Sequence, residues 1–259
     1  MLVLAAATGT GWVATRNSNH FGIAGYYAMM ALEHDMVGIC VTNANPLVAP
    51  TWSVSRYLGT NPLAVAVPAL TEPPFVADFA TTPIARGKLA VAEKKGEKVP
   101  FGYVQDAEGH PSDDPGILRR GGAMLTLGGD RLHGSHKGYC MTAVVDIFSA
   151  LFSGASFGPF VPPSVAYLPV PENQEGKGTG HFFGAMRIDA FRPAAEFKTE
   201  MDQWIRTFRN AKPAKGESRV IIPGDPEREA EERYRSDGIN LVPAVVEDLK
   251  VISAELGMT

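Results

Sequence analysis

Cysteine is nearly absent. Cys40 and Cys140 are the only two in 259 residues, and both sit in apolar runs. They offer no disulfide framework, make a reducing compartment the default, and are expected as buried apolar fillers. No apolar run reaches the roughly 20 residues that a membrane-spanning helix needs; the run from Cys140 to Phe152 is broken by Asp146. Met1–Ala7 is apolar, but no basic region precedes it and it is short for the apolar core of a secretory signal. A cationic surplus is lacking too. With 24 Lys and Arg against 28 Asp and Glu, the net charge is −4, which argues against a sequence-independent nucleic-acid binder. The histidines at 20, 34, 110, 133, 136 and 181 form no HExxH pattern, and neither CxxC nor GxSxG occurs, so no metal site is expected. What is present, 45% hydrophobic and 20% charged residues, is ordinary globular composition. It suffices for a sizeable core in one or two domains of a cytoplasmic α/β or α+β protein.

Along the chain, apolar runs bounded by turn residues predict strands at Met36–Thr42, Leu63–Val67, Phe75–Phe79, His181–Ile188 and Arg219–Ile222. Helices are expected near 24–34, 82–94, 194–210 and 242–256, with Glu227–Arg235 a charged, solvated helical face. Gly96–Pro115 reads as a surface loop. The most distinct helical pattern is Lys137–Phe152. There Met141, Val144, Val145, Phe148, Leu151 and Phe152 form one apolar stripe, Ser135 is placed as N-cap and Gly154 as the stop. Residues 154–180 are rich in Gly and Pro.

Several residues carry chemistry. Gly9-Thr10-Gly11-Trp12-Val13-Ala14 fits the dinucleotide pattern G-x-G-x-x-G/A. That pattern needs its glycines to open a helix, whereas Val13–Arg16 reads as continuing strand, so we reject it. His20 lies in a turn among small polar residues, a position open to proton transfer or to a plain surface role. Gly134-Ser135-His136-Lys137-Gly138 precedes the long helix, where backbone N–H groups and two basic side chains make either an anion site or a solvated cap. Asp78, near the end of an apolar strand, is either a cap or a carboxylate that orients a histidine.

Together these stretches resemble the type 2 malate/L-lactate dehydrogenase family. The similarity runs through Arg16-Asn17-Ser18-Asn19-His20-Phe21-Gly22-Ile23-Ala24-Gly25-Tyr26-Tyr27, Thr42-Asn43-Ala44 and Leu58-Gly59-Thr60-Asn61-Pro62-Leu63. It continues through Asp78-Phe79-Ala80-Thr81-Thr82, Ala85-Arg86-Gly87-Lys88 and His136-Lys137-Gly138-Tyr139, in the family's order over nearly the whole chain. The resemblance implies an α+β fold: a nucleotide domain that is not doubly wound, with a largely antiparallel sheet, over 1–191, and a mainly helical part over 192–259. It implies NAD or NADP as cofactor, a small 2-hydroxy or 2-oxo acid as substrate, and a homodimer. Carried over residue by residue, His20 is the proton acceptor. Asp78, Phe79 and Ala80 match a cofactor stretch, Asp78 also serving to orient a catalytic histidine. His136, Lys137 and Gly138 match cofactor contacts, and Gly224 and Asp225 a Pro-Gly-acid cofactor loop.

One departure stands out. The family carries an upstream helical arm with a Ser-His-Gly motif, and this chain opens directly in apolar material, so the arm is expected to be missing. The alternatives to a 2-hydroxy acid dehydrogenase are a cyclic-imine acid reductase of the same family and a non-catalytic nucleotide-binding remnant.

Overall fold

The computed structural model describes residues 1–163 and 177–258. The chain divides into two compact units, Met1–Gly224 and Asp225–Thr259. In the first, helix α1 (Leu2–Thr8) ends at Gly9, whose φ of 89° is the left-handed cap that glycine adopts freely. Strand β1 (Thr10–Ser18) follows. The glycine pattern at 9–14 therefore closes a helix and enters a strand, the reverse of the order a pyrophosphate loop requires. Gly11 is needed for packing: a Cβ there would lie 2.2 Å from the Met1 carbonyl oxygen.

Helix α2 (Ala24–Met29) and a 3₁₀ turn (Leu32–His34) lead to β2 (Met36–Thr42), β3 (Leu63–Val67) and β4 (Phe75–Phe79). All three strands coincide with the expected spans. They join β1 and β8 (Thr179–Arg187) in a five-stranded sheet of order β1-β8-β2-β3-β4. Every neighbouring pair in it is antiparallel. On one face α2 buries Ala24 and Ala28 against Cys40, Ala64 and Ala66. These small side chains let the helix approach so closely that a Cβ at Gly38 would meet the Ala28 carbonyl oxygen at 1.9 Å. Met30, which follows the helix, is 41% exposed.

The segment 96–115 is more than a loop. After α3 (Arg86–Lys95), the two-residue strands β5 (Val104–Gln105), β6 (Pro111–Ser112) and β7 (Ala123–Met124) form a second sheet. Its Val104 and Met124 share a buried cluster with Val48, Leu58, Leu89, Val99 and Ile117.

Helix α4 (Ser135–Asp146) continues as a π-helical turn (Ile147–Leu151) and stops at Gly154, φ 73°. The residue before it, left-handed Gly134, holds the N-cap position, so Ser135 is the first helical residue and not the cap. The inward face is not the apolar stripe, of which only Val145 is buried. Ser135, Gly138, Thr142, Val145 and Asp146 are buried, while Val144, Leu151 and Phe152 are more than half exposed. Cys140 shares the exposed side, so only Cys40 is a buried filler.

Helix α5 (Ala194–Arg209) belongs to the first unit. Its buried Asp202 accepts the backbone N–H groups of Leu70, Thr71 and Glu72 at 2.9–3.1 Å, which fixes the β3–β4 turn. Arg219–Ile222 forms no strand, and Ile222 is buried. The second unit holds α6 (Asp225–Asp237) and α7 (Pro243–Glu255), and neither contains a buried residue. No helix among the described residues is long and apolar enough to cross a membrane. Part of the Gly- and Pro-rich stretch 154–180 lies outside the described residues.

Candidate active site

The ends of β1, β2 and β3 and the start of α3 surround a cavity of about 320 Å³. His20, Thr42, Asn43, Thr60 and Arg86 are among the residues that line it. Among its described lining residues no carboxylate occurs; the ionisable ones are His20 and Arg86. An acceptor-rich, anionic ligand suits such a lining, because burying a charge is costly unless an opposite charge or hydrogen bonds compensate.

His20 is exposed at the cavity edge. Its Nδ1 accepts the Gly22 backbone N–H at 3.1 Å, and its own backbone N–H donates to Asn19 Oδ1 at 2.7 Å. With Nδ1 used as an acceptor, the neutral ring carries its hydrogen on Nε2. That form donates to a carbonyl or carboxylate oxygen. Accepting a hydroxyl proton at Nε2 requires the ring to release Gly22 first.

Asn43 lines the wall, and Asn61 lies in sequence between the lining residues Thr60 and Pro62. Asn43 accepts the Gly180 N–H at 2.9 Å and donates to the Ser156 carbonyl at 2.8 Å. Asn61, fully buried with φ 36°, accepts the Ala44 N–H at 3.0 Å and donates to the Thr142 carbonyl at 3.1 Å. Behind them the buried Asp146 carboxylate accepts the Gly158 N–H at 3.2 Å. Burial raises its pKa, partly opposed by hydrogen bonds from Gly158, Asn43 and Asn61. Thr142 Oγ1 donates to Thr81 Oγ1 at 2.9 Å, so α4 is tied to the segment that follows β4.

Beneath the cavity lies His181, 3% exposed. Its Nδ1 is 2.6 Å from Thr42 Oγ1 and its Nε2 2.8 Å from Ser18 Oγ. The ring stacks on Phe21 with centroids 4.2 Å apart and planes 7° from parallel. Burial pushes its pKa down to about 4, with the neighbouring His20 adding to the effect against a hydrogen bond that the ring donates to the Asn19 backbone.

Of the residues singled out from sequence, the structure brings His20 to the cavity. Asp78 is exposed on β4, and its carboxylate accepts the Gly25 N–H at 2.8 Å, so it reaches the His20 segment through the start of α2. Phe79 and Ala80 continue from it towards Thr81. His136, Lys137 and Gly138 form the first turn of α4, outside the cavity lining. His136 Nδ1 is 2.6 Å from Arg131 Nη1, and Lys137 is exposed. Gly224 takes φ 98° at the end of the first unit, and Asp225 opens α6, paired with Arg228 at 2.7 Å. Sequence reasoning did not single out Asn43, Asn61, Arg86 or His181. An Asn-Pro step just before an apolar strand was the available signal for Asn61; a buried histidine inside a strand leaves none.

Residues 1–250 match the family model described as malate/L-lactate dehydrogenase. The chain belongs to the malate/L-lactate dehydrogenase family. A malate dehydrogenase of Pyrococcus abyssi is 39% identical over 255 residues, covering 98% of this chain and 68% of the relative. An L-sulfolactate dehydrogenase of Methanocaldococcus jannaschii is 38% identical over 250 residues, 96% of this chain and 68% of the relative. The malate dehydrogenase structure from Pyrococcus horikoshii superposes with a TM-score of 0.85 at 35% identity, covering all of this chain and 68% of that one. The mixed helical and antiparallel architecture is thus the architecture of a solved family member.

Proposed function

We propose that this family member is an NAD- or NADP-dependent oxidoreductase that interconverts a small 2-hydroxy acid and its 2-oxo acid. The observation that carries the reading is the cavity itself. It joins His20 and Arg86 to the polar side chains of Thr42, Asn43 and Thr60, with no carboxylate among its described lining residues. The lining fits both an acidic substrate and the amide and phosphate acceptors of a dinucleotide. A bound nicotinamide supplies the hydride donor or acceptor; the chain's residues supply place, charge and the proton.

In this reading His20 handles the hydroxyl proton. In the oxidising direction the ring, its Nδ1 released from Gly22, takes the hydroxyl proton at Nε2 and becomes imidazolium, and in the reducing direction that imidazolium returns the proton to the oxygen of the 2-oxo acid. Asp78 orients the segment that carries His20. Asp78, Phe79 and Ala80 contact the cofactor, together with His136, Lys137, Gly138, Gly224 and Asp225. The nucleotide part is the antiparallel unit, without the doubly wound parallel arrangement, and the chain works as a cytoplasmic homodimer. The outward apolar face of α4 supports association, because large exposed apolar patches are uncommon on monomers.

Turnover of NADH and NADPH with a panel of 2-oxo acids, malate- and sulfolactate-type acids included, tests the reading. His20→Ala is expected to lower kcat by roughly 10²–10⁴-fold with cofactor affinity little changed. Cofactor binding without turnover of any acid would point to a nucleotide-binding protein instead, and turnover of cyclic-imine acids alone to the imine reductase alternative.

A further inference from the structure

His181 is the one buried histidine among the described residues, and its ring is fully engaged. One nitrogen meets Thr42 at the end of β2, the other Ser18 at the end of β1, and His181 itself stands on β8 between those strands. Thr42 lines the cavity, and its hydroxyl is within 3.0 Å of the Gly180 carbonyl. One face of the ring is covered by Phe21, which also stacks on Tyr27, 4.6 Å away and 9° from parallel, and meets Phe183 at 6.1 Å. Tyr27 Oη in turn donates to the Phe21 carbonyl at 2.9 Å. Phe21 is therefore clamped between a helix side chain and a strand side chain, and it is the residue next to His20.

We propose that His181 is a positioning residue of the active site: its imidazole fastens the ends of β1 and β2 together and, through the Phe21 ring, sets the place of His20 at the cavity. With both ring nitrogens engaged the ring can neither flip nor slide, so the face it offers to Phe21 is fixed. A turn segment such as 19–23 has no ladder of its own to hold a reacting side chain, and small misplacements of reacting groups are costly in rate. The burial that keeps the ring neutral serves the same end, since a second cation beside His20 would oppose any positive charge there. The inference rests on reading the cavity as the reaction site.

A double-mutant cycle isolates the link. Phe21→Leu removes the stack and leaves His181 in place. His181→Asn removes the stack and keeps a hydrogen-bonding group near Thr42. Each single variant is expected to lower kcat by roughly tenfold, in the range of an aromatic pair at 1.4 kcal/mol per decade. Cofactor Kd should stay within about twofold. If the stack is the link, the double variant also loses roughly tenfold, not a hundredfold. Multiplying losses, or unchanged kcat in Phe21→Leu, would overturn the proposal.

A second readout needs no turnover. The ring-nitrogen NMR shifts of His20 report its tautomer, held with hydrogen on Nε2 by the Gly22 contact. In Phe21→Leu the shifts should move towards the averaged value of a free ring; unchanged shifts would overturn the proposal even if His181→Asn fails to fold. Absence of turnover in the wild type would count against the oxidoreductase reading alone, and the His20 shifts would then decide this one.

Discussion

The Asp78 carboxylate accepts the Gly25 backbone N–H at 2.8 Å, joining a sheet-edge strand to the first turn of α2 across 53 residues of sequence. α2 is only six residues long, and its N-cap residue, Ile23, makes no side-chain cap bond. The capping group therefore comes from another element. A carboxylate at a helix start also meets the positive end of the helix dipole.

Asp78→Ala is expected to cost about 1–2 kcal/mol of stability, the range for losing a cap or a charged hydrogen bond. Asp78→Asn should restore part of it, because the amide oxygen still accepts. Gly25→Ala should be harmful by a different route, since its Cβ would lie 2.7 Å from Asp78 Oδ2. Urea unfolding of the three variants checks the order; an Asp78→Ala protein as stable as wild type would leave α2 without need of this contact.

A second expectation concerns pH. The folded state holds the His181 ring at about 4, against 6.5 for an unconstrained histidine. As pH falls below about 6.5 the unfolded chain binds a proton that the folded chain refuses, so stability declines. The loss begins near pH 6.5, is complete near pH 4, and amounts to about 3 kcal/mol in total at 1.36 kcal/mol per unit, of which about 2 kcal/mol falls between pH 7 and 5. Asp146 has the opposite sign: its raised pKa lets the folded chain take up a proton first and regain stability as pH falls. Unfolding at pH 7 and pH 5 should therefore show a steeper loss for wild type than for His181→Phe. Equal slopes would mean that His181 titrates normally in the folded protein.

These expectations also mark where the sequence was legible. Strands β2, β3 and β4 were readable because each is an unbroken apolar run between turn residues. α4 was readable as a helix, but its orientation was not. Periodicity tells which residues share a face, while Thr142 turns inward because it bonds Thr81 across 61 residues. The second sheet was invisible because two-residue strands have no period to detect. His20 could be found from its turn. His181 could not, since its partners Thr42 and Ser18 lie 139 and 163 residues away and only the sheet order brings them together.

Gly138 supplies a third test. It is buried in the first turn of α4, and a Cβ there would lie 2.2 Å from the Leu127 carbonyl oxygen and 2.6 Å from its nitrogen. Both obstacles are backbone, so neither can swing aside. Gly138→Ala should push the start of α4 off the 126–127 segment, lowering stability by about 1–3 kcal/mol, the cost of overpacking. It should also weaken cofactor binding. Wild-type stability in this variant would show that the helix start can shift freely.

Lys137 allows the sharpest test of the cofactor assignment. It stands in the first turn of a twelve-residue helix, exposed, after left-handed Gly134 and beside the close approach at Gly138. Helix starts favour anions, and a lysine adds a compact charge to the same place. If that charge meets a cofactor phosphate, a charged hydrogen bond of about 1.5–3 kcal/mol is at stake. Lys137→Ala should then weaken NADH or NADPH binding by roughly 10- to 150-fold, at 1.4 kcal/mol per decade. The wild-type affinity should also fall as salt rises, and that of the variant less so, because a surface charge contact is screened. A solvated first turn predicts neither effect. Calorimetric titration of both proteins with both cofactors, at two salt concentrations, separates the cases: equal affinities would remove residues 136–138 from the cofactor site and leave the anion to the cavity side, where Arg86 is among the described lining residues.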